Sequence, residues 1–345
     1  MQRIALIGFG TVGQGLCEIL RDKTDELKQK YDYDWQIVAV SDVVKGSVYC
    51  SEGLNIDKLL DFAKKGISLN DYDYKISETT LETGWDALKT IKKSNADVIC
   101  ELAFTDLQTG EPAMSHCKTA FESGKSVVTS NKGPAALAYQ EMLKLAKVNN
   151  VKFMIEGTVA SGTPILNLAE GPLAGCKISS VNGILNGTTN YILSEMEGGM
   201  SYDDALAKAQ ELGYAEADPT GDVEGYDARA KVAILTNVVM GQNFGVNDVS
   251  CEGITKITSE DIAMAKAQNS RWKLLGSTEI INGKVVASVK PKMIPTSHPL
   301  AGIMGATNAL TFSTDLMGDV TIVGAGAGRI ETGFSILTDL LAINN

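Results

Sequence analysis

The chain has 345 residues, 44% of them hydrophobic and 21% charged, with a formal net charge of −11. That length suits two domains better than a single core, and the composition is that of a soluble globular protein. The acid excess gives no electrostatic support to a nucleic-acid partner or to an anionic membrane surface.

The N-terminus, "MQRIALIGFG", leads straight into a strand and lacks the charge order of a signal peptide. The strand reading covers "RIALIGFG". "TVGQGLCEILRDKTDELKQKY" follows as one helix, with Val12, Leu16, Ile19 and Leu20 on one face. "WQIVAVSD" is the next strand. A polar stretch from Val43 to Tyr74 contains one helix, "NIDKLLDFAKKG", stopped by Gly66; the rest reads as surface elaboration. "ADVICELA" and "KSVVTSN" are further strands, each preceded by a helix. Strands that are continuously apolar and alternate with helices predict a parallel sheet covered on both faces. The expectation is an α/β fold with a Rossmann-type nucleotide-binding domain over residues 1–150.

From about Val151 the character changes. "VKFMIEGTVASGTPI" is rich in glycine and threonine, and "KISSVNGILNGTTNYIL" is a strand running into a helix start. "KVVASVKPKMIP", "NALTFSTD" and "DVTIVGAG" read as strands of a second sheet, antiparallel and mixed with helices. Residues 151–323 are therefore expected to form an α+β domain, which the family resemblance of the motifs below makes the catalytic and dimer-forming one. The final helix, within 324–345, crosses back to complete the first. No run of about 18 apolar residues predicts a membrane-spanning helix. Six scattered cysteines form no CxxC pair, which fits reduced thiols and a cytoplasmic location, with neither a zinc site nor a disulfide frame.

Gly8, Gly10 and Gly13 form GxGxxG after a strand and at a helix start, with Phe9, Thr11 and Val12 in the same turn. The first glycine makes the tight turn, the second admits a pyrophosphate, and the third lets helix and strand close up. Asp42 ends the second strand, where a carboxylate would hold a ribose 2′-hydroxyl and favour NAD. Lys45, three residues on, would meet a 2′-phosphate or simply be solvated, so NAD and NADP both stay open. Lys132 in "SNKGP" and Ala103, Phe104 and Thr105 follow strands at the carboxyl edge of the same sheet, where ligands bind in open α/β folds. Gly324, Gly326 and Gly328 precede the last helix with no βαβ unit behind them, so a second dinucleotide site is not expected. Gly328, and more weakly Gly213 in "ELGYAE", are candidate backbone contacts to the cofactor.

"EADPTGDVEGYDARAK", Glu216 to Lys231, packs five acids and two bases ahead of the apolar run "VAILTNVVMG". Asp227 and Lys231 are four residues apart and share a helix face. The helix dipole and burial disfavour charge on Lys231, while Asp227 favours it, a balance that suits proton transfer. The alternative is a surface ion pair of about 0.3–0.5 kcal/mol; the apolar residues that follow argue against it. Asp222 is either a site carboxylate or a helix cap, and Asp218 and Glu224 shape the loop. "NGTT", Asn186 to Thr189, opens a helix, so its N–H groups either receive a carboxylate near Thr188 and Thr189 or are simply capped. Of the two histidines, His298 in "SHPLAG" reads as structural and His116 as structural or exposed. "EGTVASGTP" offers one carboxylate, Glu156, and a compact turn of carbonyls, which is either a donor set suited to a hard monovalent cation or a tight turn with no ion.

The motifs "GFGTVG", "TDLQTGEPA", "GKSVVTSNKGP", "EGTVASGTPI", "NGILNGTTNYIL", "LGYAEADPTGDVEGYDARAK", "SHPLAG" and "GAGAG" together resemble the homoserine dehydrogenase family over nearly the whole chain. The resemblance implies NAD- or NADP-dependent interconversion of L-homoserine and L-aspartate 4-semialdehyde, feeding threonine and methionine biosynthesis, in a homodimer. It implies Lys231 as the proton donor to the aldehyde oxygen, Glu216 and Asp227 as substrate-binding acids, and a catalytic or cofactor contact for Lys132. It also implies a sodium-type site of the Glu156 side chain and the carbonyls of Val159, Ser161 and Thr163. No kinase segment precedes the match and no regulatory domain follows it, so threonine feedback is not expected. A semialdehyde dehydrogenase would need a cysteine thiolate beside a histidine, and no cysteine adjoins these residues. A nucleotide-sensing module without catalysis is the remaining rival.

Overall fold

The computed structural model describes residues 1–73 and 81–344; Tyr74, at the end of the polar stretch, and Asn345 lie outside them. The chain forms two compact units. One comprises Met1–Thr158 with Gly328–Asn345, the other Val159–Ala327.

Among the described residues the first unit has strands β1 (Gln2–Ile7), β2 (Trp35–Asp42), β3 (Gly46–Tyr49), β4 (Glu82–Thr83), β5 (Val98–Glu101), β6 (Ser126–Thr129) and β7 (Phe153–Met154). Its helices are α1 (Thr11–Asp22), α2 (Thr24–Tyr31), α3 (Ile56–Lys65), α4 (Ala87–Lys93), α5 (Ala113–Glu122), α6 (Lys132–Val148) and a C-terminal helix, Arg329–Asn344. The sheet order is β4-β3-β2-β1-β5-β6-β7. β2, β1, β5, β6 and β7 run parallel, and β1 is the centre, with Ile4, Ala5 and Leu6 fully buried. The order reverses at β1, which makes its carboxyl end the switch point where α/β sheets bind ligands.

The structure corrects the sequence reading in four places. The sheet is not wholly parallel, because β3 and β4 pair antiparallel at one edge. β3 arises inside the stretch read as surface elaboration, and that stretch buries Val48, Leu69 and Tyr72 in the core. The single helix expected over residues 11–31 is two. Lys23 leaves helical geometry (φ −113°, ψ 12°), and Thr24 Oγ1 donates back to the Leu20 carbonyl at 2.7 Å. Such back-bonding from a threonine competes with the helix ladder. The fourth is β7, which pairs with β6, so "VKFMIEGTVASGTPI" opens on the last strand of the first sheet. The α3 reading is matched closely: Asn55 caps its start through Lys58 N, and Gly66 (φ +67°) ends it.

The C-terminal helix packs on α1 through two glycines. A Cβ on Gly15 would lie 2.1 Å from the Arg329 carbonyl oxygen, and one on Gly333 2.7 Å from Leu16 N. Arg329 then reaches Glu18 at 2.7 Å.

The second unit comprises α7 (Leu166–Glu170), β8 (Ile178–Ile184), α8 (Gly187–Glu197), α9 (Tyr202–Glu211), α10 (Thr220–Val223), α11 (Tyr226–Val239), β9 (Ser250–Cys251), α12 (Ser259–Ala267), β10 (Ser270–Ile281), β11 (Lys284–Pro295), β12 (Thr307–Thr314) and β13 (Gly318–Ala325). Its sheet order is β13-β12-β8-β10-β11-β9, antiparallel except for the short β11–β9 pair. β10 has no clean alternation and was not read from the sequence. Its partner fixes it through the Asn282–Gly283 turn, where both residues have positive φ (51° and 77°), the signature of a tight hairpin. α11 lies close on this sheet. Gly276 allows it, since a Cβ there would fall 2.6 Å from Leu185 and 2.7 Å from Val232 side-chain atoms.

Candidate active site

In the first unit the glycines of GxGxxG do what their spacing requires. Gly8 adopts φ +99°, and a Cβ on it would sit 2.4 Å from the Leu102 carbonyl oxygen. A Cβ on Gly13 would sit 2.9 Å from Gly8 O, so α1 can close on the turn. At Gly10 the Cβ position meets nothing within 4 Å, which leaves room beside the helix start. Gly10 also caps α1 with no side-chain hydrogen bond, and no acid lies in the first turn, where Thr11 and Val12 sit. The first N–H groups of α1 are thus uncapped by side chains and electrostatically suited to an anion. This cradle fits a dinucleotide pyrophosphate.

Phe9 is fully buried, and its N–H donates to Asp42 Oδ2 at 2.7 Å. Asp42 Oδ1 accepts from Val44 N and Lys45 N, both at 2.9 Å. Burial works against the Asp42 charge, but three backbone donors outweigh it and hold the carboxyl below its usual range. Asp42 therefore braces the β2–β3 turn besides ending β2, and Lys45 is half-buried within that turn. Beyond β5, Asn131 Nδ2 donates to the carbonyls of Ala103 (3.1 Å) and Phe104 (2.9 Å), while its Oδ1 accepts from Gly133 N. One amide so fixes the loop after β5 and caps α6, whose first residue is the half-buried Lys132. The Phe104 side chain is 64% exposed, and Thr105 is exposed too. Gly328 (φ +143°) leads into the C-terminal helix. His116 is buried, with Nδ1 3.0 Å from Glu101 Oε1, so it is structural and not exposed. Glu156, 2% exposed, donates its N–H to Asp339 Oδ2 at 2.9 Å.

In the second unit the chain opens with a tight turn. Ala160 (φ 56°) and Ser161 (φ 54°) are both left-handed, and Thr163 N returns to Ala160 O at 3.0 Å. Such a turn redirects successive carbonyls, among them those of Val159, Ser161 and Thr163. Among the described residues no group of three or more His, Cys, Asp or Glu side chains could hold a metal.

The acid-rich stretch assembles against the end of β8. Lys231 is 7% exposed; its Nζ donates to Asp227 Oδ2 at 2.6 Å and to the Leu185 carbonyl at 2.7 Å. Asn186 Nδ2 donates to Asp222 Oδ1 at 2.6 Å and to Asp227 Oδ2 at 3.2 Å. Burial pushes the Asp222 carboxyl up, and the Asn186 hydrogen bond does not fully offset it. Asp222 lies within α10 and not at its cap. An ammonium has three donors, so Lys231 keeps one beyond those on Asp227 and Leu185. Asn186 is also the α8 cap, accepting from Thr189 N at 2.9 Å, so plain capping is realised there. Thr188 Oγ1 donates to the Tyr214 carbonyl at 2.6 Å and ties down the loop that carries Gly213 and Glu216. Gly213 (φ +76°) is exposed and follows α9. Glu216 is exposed as well, and its backbone carbonyl is held by Gln210; the structure does not bring its carboxylate into the Lys231 cluster. Asp218 and Glu224 bond to Thr220 N and Thr255 Oγ1, as loop-shaping acids should. His298 caps a short turn through Leu300 N. The sequence reading missed the bridging role of Asn186; an amide directly before a helix start signals only a cap.

A mostly parallel sheet whose central strand ends in a pyrophosphate cradle defines the class: an NAD(P)-dependent oxidoreductase with a Rossmann-type domain and a second catalytic unit. Family models described as "Homoserine dehydrogenase, NAD binding domain" and "Homoserine dehydrogenase" match residues 8–156 and 164–341. The chain belongs to the homoserine dehydrogenase family. It is 44% identical to an NAD(+)-dependent homoserine dehydrogenase of Pseudomonas canavaninivorans, over 99% of this chain and 96% of that one. It is 41% identical to a homoserine dehydrogenase of Methanocaldococcus jannaschii, over 99% and 98%. A solved homoserine dehydrogenase from Thiobacillus denitrificans superposes with a TM-score of 0.84 at 32% identity, covering 99% of this chain and 73% of that one. A hyperthermophilic archaeal homoserine dehydrogenase in complex with NADPH superposes with a TM-score of 0.82 at 28% identity, covering 99% and 97%.

Proposed function

We propose that the chain interconverts L-homoserine and L-aspartate 4-semialdehyde, with Lys231 as the group that moves the proton. The observation that carries this is the buried Lys231 ammonium, held from two sides by Asp227 and Leu185 with one donor to spare. When bound, the dinucleotide exchanges a hydride with the alcohol carbon. Lys231 then gives its spare proton to the aldehyde oxygen in reduction, and as a neutral amine takes the alcohol proton in oxidation. Asp227 and Asp222 are proposed to hold the substrate ammonium, and Glu216 joins them if its loop closes. The start of α8, at Gly187 and Thr188, supplies N–H groups for the substrate carboxylate. Lys132, at the start of α6, is proposed to polarise the reacting oxygen or contact the nicotinamide end of the dinucleotide. Lys45, Ala103, Phe104, Gly213 and Gly328 are proposed cofactor contacts alongside Gly8 to Gly13.

NAD is the proposed dinucleotide, because a 2′-phosphate would stand against the Asp42 carboxylate. A sodium-type ion is proposed on the Glu156–Thr163 segment, whose donors are all oxygen; its role is structural. A homodimer is also proposed, supported by exposed Ile280, Ile281, Val286, Met293 and Val323 on strands of the second sheet. The setting is the cytoplasm and the route to threonine and methionine. Nicotinamide absorbance on adding L-homoserine with NAD or NADP tests the reading. No change with either dinucleotide would refute it.

A further inference from the structure

Strand β10 carries a lysine that the chemistry above does not use. Lys273 is 1% exposed, although burying an ammonium is costly unless it is well paired. Its Nζ donates to Asn190 Oδ1 at 2.8 Å and to the Ile303 carbonyl, with Met304 Sδ at 3.6 Å. Asn190 in turn donates to the carbonyls of Ile303 (3.2 Å), Gly305 (2.8 Å) and Thr307 (3.4 Å). One buried ammonium and one buried amide thus hold every second carbonyl of the segment 303–307.

That segment touches the site. The Cβ position of Gly187 lies 2.6 Å from the Ala306 carbonyl oxygen, so segment and helix start are in close backbone contact. Gly187 follows Asn186, whose amide spans Asp222 and Asp227. Asn190 lies one turn further along the same helix, with its N–H on the Asn186 carbonyl at 3.3 Å. We propose that Lys273 is a positioning residue: through Asn190 and the 303–307 segment it fixes the start of α8, and so sets the Asn186 amide that orients the Asp222–Asp227–Lys231 cluster. This rests on the reading of Lys231 as the proton-transfer group.

The surroundings make the device sensitive to pH. Burial pulls the Lys273 ammonium down to about 8; Glu197 on α8 opposes that fall and Arg271 on β10 adds to it. Glu197 Oε1 and Arg271 Nε are 2.9 Å apart, an ion-pair contact. Below that pH the bonds from Lys273 are charge-assisted and about twice as strong as neutral ones; above it they weaken.

The test is the pH profile of kcat for homoserine oxidation in the intact enzyme, with KM followed in parallel and melting recorded for each variant. Glu197→Gln removes the group that opposes the fall, without touching the Lys273 contacts. It should move an alkaline limb of kcat to lower pH by roughly half a unit or more, with KM for the dinucleotide unchanged. Lys273→Arg stays charged at every working pH, so the limb should vanish in it, whereas Lys273→Met should lose kcat by about tenfold or more. If Glu197→Gln leaves the profile in place, or Lys273→Arg keeps the limb, the proposal is overturned even where Lys273→Met fails to fold. Turnover retained by Lys231→Ala would remove the underlying reading instead, a separate and distinguishable result.

Discussion

Replacing Lys231 by alanine separates proton transfer from scaffold. The substitution removes the donor that spans Asp227 Oδ2 and the Leu185 carbonyl. Loss of a positioned acid–base group costs about 10²–10⁴ in kcat, or roughly 3–5.5 kcal/mol of barrier. The scaffold cost is smaller. Asp227 keeps the Asn186 hydrogen bond and is partly solvated, so the main penalty is the orphaned Leu185 carbonyl, about 1–3 kcal/mol. That corresponds to a fall in melting temperature of about 2–4 °C per kcal/mol for a unit of this size. The assay is nicotinamide absorbance under saturating homoserine, with circular dichroism melting alongside. Lys231→Arg is the companion variant: it restores a donor but holds its proton at every working pH, so it should melt near the parent and remain inactive. Small primary amines should partly restore Lys231→Ala. Turnover within about tenfold of the parent would refute the assigned role, whatever the melting temperature.

Other consequences are open to simpler measurements. Asp42→Ala should weaken NAD more than NADP in fluorescence titrations, and an equal loss for both would remove the ribose assignment. Asp222 has a folded-state carboxyl raised above its unfolded value, so the native state binds the extra proton, and stability falls as pH rises from the ordinary carboxylate range through the raised one. Asp222→Asn should flatten that acid-side slope in chemical unfolding; an unchanged slope would contradict it. Gly15→Ala forces a methyl to within 2.1 Å of the Arg329 carbonyl and should destabilise the first unit by about 1–3 kcal/mol; a parental denaturation midpoint would show that the C-terminal helix is not seated there. Replacing sodium by choline should lower the melting temperature by mass action if the Glu156–Thr163 segment binds the ion, and an identical melt would count against it.

Much of this was open to reading along the chain, because neighbours encode it. The glycine cradle, β2 and β11 to the residue, the Asn55 and Gly66 ends of α3, and the Asp227–Lys231 pair four residues apart all depend on local spacing. The motifs that carry the family resemblance are local as well. What needed the tertiary structure is set by residues far apart in sequence. Asn186 meets Asp222 and Asp227 across 36 and 41 positions, and Lys231 meets Leu185 across 46. No periodicity announces such partners; the sheet, by laying the end of β8 under α11, selects them. The same holds for the antiparallel edge formed by β3 and β4, and for the burial of His116 and Lys273. Sequence chose the chemistry by supplying the groups, and packing chose which of those groups lost water and gained one another.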